Sequence, residues 1–244
     1  RYLFRMIANL SEIKRKKLAC IILFIDFKKA FDSVHLPTLM TKLETLGIQG
    51  RILKLLHSFL FNRKVKLKVN QYIGSKRICS LFGLPQGSVL SPFLFILYVA
   101  DMTEDMPQWL KKWLSCYKFA DDGTLLIAHK CMFKCYRLMQ RLCNELTKWC
   151  QDNKLVINCD INKTEAIILK TGWESSPDQE LPPNLCINGQ QIRYVSSTKV
   201  LGVILDDELN FKLHATQKLN ECNKKWGLIT KSTNRNHGLN VRSL

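Results

Sequence analysis

The sequence predicts an α+β fold in which a small antiparallel sheet is backed by helices, and three features predict it. The run Ala19–Ile25 (ACIILFI) is continuously apolar, rich in isoleucine and bounded by charge, the pattern of a strand covered on both faces. Leu114–Phe119 and Thr124–Ala128 flank Ala120, Asp121, Asp122 and Gly123, which marks a hairpin with two acids at its tip. Met132–Cys150 has the periodicity of a long helix able to cover such a sheet.

The remaining elements follow in chain order. Arg1–Lys17 carries Leu3, Ile7, Leu10 and Ile13 at helical spacing and ends in a basic cluster. After the first strand, Leu36–Leu46 and Arg51–Phe61 are helical patterns separated by Gly47 and Gly50, natural stops. Lys64, Lys66 and Lys68 alternate with Val65, Leu67 and Val69, the period of a half-buried strand whose exposed face is entirely cationic. A second strand over Lys76–Phe82 leads into the loop Gly83–Gly87, and Ser91 with Pro92 reads as an N-cap and first helical residue of a helix running to about Asp101. Leu155–Asn158 and Glu165–Lys170 read as short strands, and Thr171–Pro183 as a polar excursion. Asn188-Gly189 between Leu185, Ile187, Ile192 and Tyr194 is a strong hairpin signal. Lys199–Leu205 reads as a strand, and Lys212 to the end as a basic helix. There is no internal repeat.

Bulk properties narrow the class. A chain of 244 residues with 46% hydrophobic content can build one or two ordinary cores, which excludes a disordered or fibrous protein. Thirty-seven Lys+Arg against twenty Asp+Glu give a formal charge of +17. The excess falls in short runs such as Lys14–Lys17, Arg63–Lys68 and Lys224–Lys225, which suits a polyanion lying along a groove. The ten cysteines sit singly, without a C-x-x-C pair, and no segment reads as a signal peptide, so a reducing location inside the cell, cytoplasm or nucleus, is expected. His129, Cys131 and Cys135 form the tightest metal-like grouping but lack a fourth neighbour, and buried thiols are the expected reading. No apolar run reaches the roughly 18 residues that span a membrane. Starting at Arg1 and stopping in a polar helical stretch, the chain looks excised from something longer.

The chemistry gathers at strand ends. Asp26 stands where the first apolar strand stops, and Asp121 and Asp122 stand at the tip of the hairpin. Clustered acids repel and raise one another's pKa unless cations resolve the conflict. Hard divalent ions such as Mg²⁺ take carboxylate oxygens and bridge to phosphates. Two such ions about 4 Å apart serve an in-line displacement, so phosphoryl or nucleotidyl transfer is the implied reaction class.

The same residues resemble a family. Phe24–Val34 (FIDFKKAFDSV) resembles motif A of reverse transcriptases, Gly83–Pro92 (GLPQGSVLSP) motif B, and Phe119–Asp122 (FADD) motif C. Trp149–Leu169, with Asn158, Lys163 and Thr164, resembles motif D. Val200–Leu205 (VLGVIL), followed by Leu209, Phe211 and His214, resembles motif E and the entry to the thumb. The wording is nearest to non-LTR, LINE-like retrotransposons, and the resemblance covers about Leu18 to His214.

The resemblance implies a right-hand polymerase palm with partial fingers and a partial thumb: a residual fingers helix over 1–17, the palm over 18–198 with a fingers-like insertion at about 60–82, a primer-grip hairpin over 199–211, and the start of the thumb over 212–244. It implies an RNA-directed DNA polymerase using two Mg²⁺ (or Mn²⁺) ions, an RNA template, a DNA primer and dNTPs. Asp26 and Asp121 would hold both metals, the Phe27 carbonyl one of them, and Asp122 would support the site. Phe31 corresponds to the gate against a ribose 2′-OH, Gln86 and Gly87 to the nucleotide contact, Lys163 to a partner of the leaving pyrophosphate, and Leu201 and Gly202 to the primer grip. The upstream fingers residues that clasp the triphosphate have no counterpart before Arg1. Two other readings stay open: a non-catalytic nucleic-acid-binding module that keeps fold and charge, and a related palm of maturase type or one that polymerises RNA.

Overall fold

The computed structural model describes residues 2–66, 68–75, 77–78, 81–104, 106–172 and 181–233. The chain divides into two compact units, Arg1–Tyr194 and Val195–Leu244.

The first unit opens with helix α1 (Tyr2–Arg15), strand β1 (Ala19–Ile25) and helices α2 (Leu36–Thr45) and α3 (Gly50–Leu60). Four two-residue strands follow: β2 (Lys64–Val65), β3 (Lys68–Val69), β4 (Tyr72–Ile73) and β5 (Arg77–Ile78). Next come helix α4 (Leu90–Tyr98), a 3₁₀ turn over Ala100–Thr103, the short helix α5 (Gln108–Lys111), strands β6 (Leu114–Phe119) and β7 (Asp122–His129), and helix α6 (Met132–Asp152). Strand β8 (Glu165–Leu169) and the hairpin β9 (Leu185–Ile187) and β10 (Gln190–Ile192) complete the unit.

Its centre is a four-stranded antiparallel sheet in the order β6-β7-β1-β8. β1 is flanked on both edges, from Ala19↔His129 to Ile25↔Gly123 on β7 and from Cys20↔Leu169 to Phe24↔Glu165 on β8. All seven of its residues are buried, which is why it reads as an unbroken apolar run. α6 covers the sheet with one stripe, Cys135, Met139, Leu142, Cys143, Leu146 and Cys150, spaced at three and four residues. Each large apolar side chain buried in this layer contributes about 1.5–3 kcal/mol.

α4 brings Leu94, Phe95 and Tyr98 to the same core. Tyr98 donates its hydroxyl to the Asn153 carbonyl at 2.6 Å, and Lys42 donates to the Tyr98 carbonyl and to Asp101 Oδ1, both at 2.7 Å. α2, α4 and the end of α6 are thereby cross-linked by polar groups that satisfy one another. The β9–β10 hairpin turns at Asn188 and Gly189, both with positive φ, as its sequence predicts, and Gln140 of α6 exchanges two hydrogen bonds of 2.8 Å with the Cys186 backbone.

Several expectations need correction, four of them in the segments around the sheet. Ser91 does not cap α4: it lies inside the helix and donates its hydroxyl to the Pro85 carbonyl at 2.6 Å, while Ser88 Oγ accepts the Leu90 N–H. The cationic segment is not a half-buried strand. β2 pairs with β5 and β3 with β4 in separate two-residue ladders, and Val65 and Val69 are more than half exposed because no element among the described residues covers them. The strand expected over Lys76–Phe82 shrinks to β5 plus a single bridge, His35↔Phe82, with 76, 79 and 80 outside the described residues. Leu155–Asn158 forms only the bridge Phe27↔Ile157. Most of the polar excursion, 173–180, lies outside the described residues, as does the chain after 233.

In the second unit, strands β11 (Ser197–Val200) and β12 (Val203–Asp206) form a hairpin rather than one strand, and helix α7 (Lys212–Thr233) follows. The Asp206 carboxylate, only 5% exposed, accepts the N–H groups of Glu208, Asn210 and Phe211 and so fixes the turn into α7.

Candidate active site

β1 and β7 deliver acids to the same end of the sheet. Their last pair is Ile25↔Gly123, so one further step of register sets Asp26 level with Asp122. Phe119 pairs with Asp122, which leaves a two-residue turn, Ala120–Asp121, with Ala120 at φ 52°. The connection is thus tighter than the four residues expected from sequence, and Asp122 belongs to the strand while Asp121 occupies the turn. α1 braces this hairpin: the Tyr2 hydroxyl is 2.7 Å from Thr124 Oγ1, and its ring meets Tyr117 and Phe119 edge-on at 6.0 and 6.2 Å.

Asp26 is held by a segment more than 130 positions away. Its N–H donates to Thr164 Oγ1 at 3.3 Å, its carbonyl accepts the Asn158 N–H at 2.7 Å, and its Oδ2 accepts from Asn158 Nδ2 at 3.1 Å. Lys163 Nζ lies 3.7 Å from the same Oδ2. Burial pushes the Asp122 carboxyl above its ordinary pKa, and the negative charges of Asp121 and Asp26 push it further, with Lys163 opposing. That mutual repulsion is what a hard cation relieves, so the oxygen-only donor set fits Mg²⁺ or Mn²⁺. Among the described residues, however, no group of three His, Cys, Asp or Glu side chains is so placed that it could hold a metal ion. One Asp26 oxygen is instead committed to Asn158 and Lys163.

A second group surrounds the loop Gly83–Gly87, which is tied to the segment after β1. The Gly83 and Leu84 N–H groups donate to the Val34 and Phe31 carbonyls at 2.9 Å, and Gln86 Nε2 donates to Asp32 Oδ1 at 3.0 Å. Gly83 has φ +92°, and a Cβ there would stand 3.3 Å from the Asp32 carbonyl oxygen, so only glycine fits without displacing backbone. Gly87 is likewise at φ +82°. Phe31 packs its ring 5.1 Å from Phe95, and the buried Phe27 ring meets the same Phe95 at 6.4 Å. Leu201 and Gly202 belong to the second unit, where they form the two-residue turn between β11 and β12.

The structure therefore gathers Asp26, Asp121, Asp122 and Lys163 into one group and Phe31, Gln86 and Gly87 into another. Sequence reasoning missed what Asn158, Thr164 and Asp32 do. Their contacts cross 54 to 138 positions and leave no local pattern to read.

The sequence model of the family described as "Reverse transcriptase (RNA-dependent DNA polymerase)" matches residues 2–205. The chain belongs to this family. The resemblance carried by the five motifs is borne out, and reverse transcriptases of mobile elements are among its relatives. It is 29% identical over 238 residues to "Probable RNA-directed DNA polymerase from transposon BS" of Drosophila melanogaster, covering 94% of this chain and 25% of that protein. It is 27% identical over 216 residues to "RNA-directed DNA polymerase from mobile element jockey" of the same organism, covering 88% and 22%. A polyprotein from the type-1 retrotransposable element R1 of Bradysia coprophila is 29% identical over 196 residues, covering 78% and 18%. The chain thus spans about a quarter, or less, of these reverse transcriptase relatives.

Among solved structures, apo telomerase from Candida tropicalis truncated from its C-terminal domain superposes with a TM-score of 0.58 at 14% identity, covering 85% of this chain and 38% of that one. Telomerase from Candida albicans in complex with a fragment of telomeric RNA gives 0.55 at 16% identity, covering 83% and 33%. The likeness is one of fold, and it supports the α+β polymerase palm. No helix among the described residues is long and apolar enough to cross a membrane.

Proposed function

We propose that this chain is the polymerase core of an RNA-directed DNA polymerase, transferring dNMP units to a primer 3′-OH under the direction of an RNA template. The observation that supports it most is the delivery of Asp26 and of Asp121 with Asp122 by adjacent strands to one end of the sheet, in a chain of the reverse transcriptase family. Asp26 and Asp121 would hold two Mg²⁺ (or Mn²⁺) ions with the Phe27 carbonyl, and Asp122 would support them. Bound there, the ions would favour the attacking 3′-oxygen and offset charge on the leaving pyrophosphate.

The chain's own residues have the remaining tasks. Asn158 and Thr164 orient Asp26 from its backbone and one carboxylate oxygen. Lys163, whose ammonium stands beside Asp26, carries positive charge or a proton to the departing pyrophosphate. Phe31, steadied against Phe95, crowds a ribose 2′-OH and favours deoxynucleotides. Gln86 and Gly87 contact the incoming nucleotide, and the turn Leu201–Gly202 supports the primer end. In domain terms, 1–17 is a remnant of fingers, 18–198 the palm with a fingers-like insertion at about 60–82, 199–211 the primer grip and 212–244 the start of the thumb. Exposed cationic side chains bind template and primer phosphates irrespective of sequence.

Primer extension on an RNA template with a DNA primer, dNTPs and Mg²⁺ or Mn²⁺ tests the reading. Asp121→Asn should lower extension by at least about a hundredfold, more than loss of an outer partner of a metal ligand costs. Template binding without extension, indifferent to Asp121→Asn, would instead identify a non-catalytic module. Phe31→Val should raise ribonucleotide incorporation, and no rise removes the gate assignment.

A further inference from the structure

The end of the sheet away from the acids carries a different chemistry. β7 runs from Asp122 to His129, and seven steps at ~3.4 Å each separate the two ends by roughly 24 Å. Around His129 the surface is cationic and aromatic. Trp113, His129, Lys134, Arg137, Leu138 and Arg141 line a concavity of about 360 Å³. Trp109 is 46% exposed and Trp113 37%, unusual exposure for the largest apolar side chain.

Three of the cations here lie against rings. The Arg141 guanidinium lies 5.2 Å from the Trp109 ring, Arg137 5.8 Å from Phe133 and Lys112 Nζ 5.7 Å from Trp113, while His129 meets Trp113 at 4.9 Å. Segments 106–117 and 127–144 contain no Asp or Glu. Among the described residues, no ion pair engages Lys134, Arg137 or Arg141. These three follow one another at helical spacing on the exposed face of α6, with Lys148 two turns further on.

We propose that this face is a second binding site for single-stranded nucleic acid, separate from the acid end of the sheet. Exposed indole faces offer stacking platforms to unpaired bases, and a row of cations beside them takes the phosphates. A duplex keeps its base faces covered and gains only the charge. An acidic peptide brings no flat rings for Trp109 and Trp113 to stack on, so unpaired nucleic acid satisfies both halves of the surface. The strand held here is a stretch of template or product away from the reacting end.

The test is binding of labelled 12-mer oligonucleotides to the chain, followed by fluorescence anisotropy over a range of salt. Arg137→Gln with Arg141→Gln should weaken single-strand binding about tenfold and flatten the plot of log K against log salt by ~1.4, two phosphate contacts at ~0.7 each. Arg51→Gln with Lys54→Gln removes the same charge from an exposed face of α3 and should change affinity less than twofold. Trp113→Ala should weaken binding about fivefold with the salt slope kept, and Trp113→Phe should restore most of it. Retention of an RNA or a DNA single strand supports the site. Equal loss from both charge pairs, an unchanged Trp113→Ala, duplex bound as tightly as single strand, or competition by polyglutamate of equal charge would each overturn it.

Discussion

β1 and the ribbon β2–β5 both place β-branched residues in extended chain, to opposite ends. β1 is flanked by strands on both edges and covered by α6, and all seven of its residues are buried. The ribbon pairs two residues at a time, and Val65, Val69, Tyr72 and Ile73 are all more than half exposed. Alternation of lysine and valine shows that a chain can be extended, but burial also needs something to pack against. A continuous apolar run bounded by charge carries that second piece of information. The lysine–valine alternation does not.

The largest expected effect contrasts the two directly. Ile22→Ala, at a fully buried position of β1, should cost about 2–5 kcal/mol in denaturant unfolding. Val65→Ala in the ribbon should stay within about 0.5 kcal/mol. A comparable loss from Val65→Ala would mean that the ribbon is covered in solution.

The seam between these regions should be next in sensitivity. The chain returning from the ribbon rejoins the segment after β1 through Leu36 N–H to the Leu81 carbonyl and Gly83 N–H to the Val34 carbonyl, both at 2.9 Å. Gly83→Ala forces a side chain into positive φ against the Asp32 carbonyl, at an expected cost of about 1–3 kcal/mol. If the variant unfolds at the wild-type denaturant concentration, the loop is not held as tightly as its hydrogen bonds imply. On the other side of β1, Asn158→Ala removes the Nδ2 hydrogen bond to Asp26 but keeps the backbone one, and about 1–2 kcal/mol should be lost. Primer extension should fall with it, because Asp26 loses the group that fixes one of its oxygens. Unchanged extension would separate Asn158 from the site.

The sequence exposed some layers of this molecule and concealed others for physical reasons. The buried strand, the amphipathic α6 and the Asn188–Gly189 hairpin are written in local patterns, and each appears where those patterns put it. The acids were legible because a carboxylate ending an apolar run is conspicuous, and because the order of the motifs matches the reverse transcriptase family. What holds them was not legible. Asn158, Thr164 and Asp32 act through contacts made only after the sheet has assembled. Ser91 misled for a related reason: serine followed by proline looks like a helix start, but its hydroxyl closes the Gly83–Gly87 loop instead.

The smallest predicted effect probes the tight turn of the β11–β12 hairpin, where backbone geometry is strained. Leu201 sits at φ 47° between β11 and β12, a left-handed conformation that costs a branched side chain about 1–2 kcal/mol. Leu201→Gly removes that strain but gives the unfolded chain more freedom, worth up to about 1 kcal/mol, so the net gain should be about 0.5 kcal/mol. Destabilisation by more than about 1 kcal/mol would show that the partly exposed leucine makes contacts outweighing its strain. Stability and activity can also part company here. Higher stability with lower primer extension would mean that the strained leucine is retained for its work at the primer end, whereas a parallel rise would mark the turn as a structural connection alone.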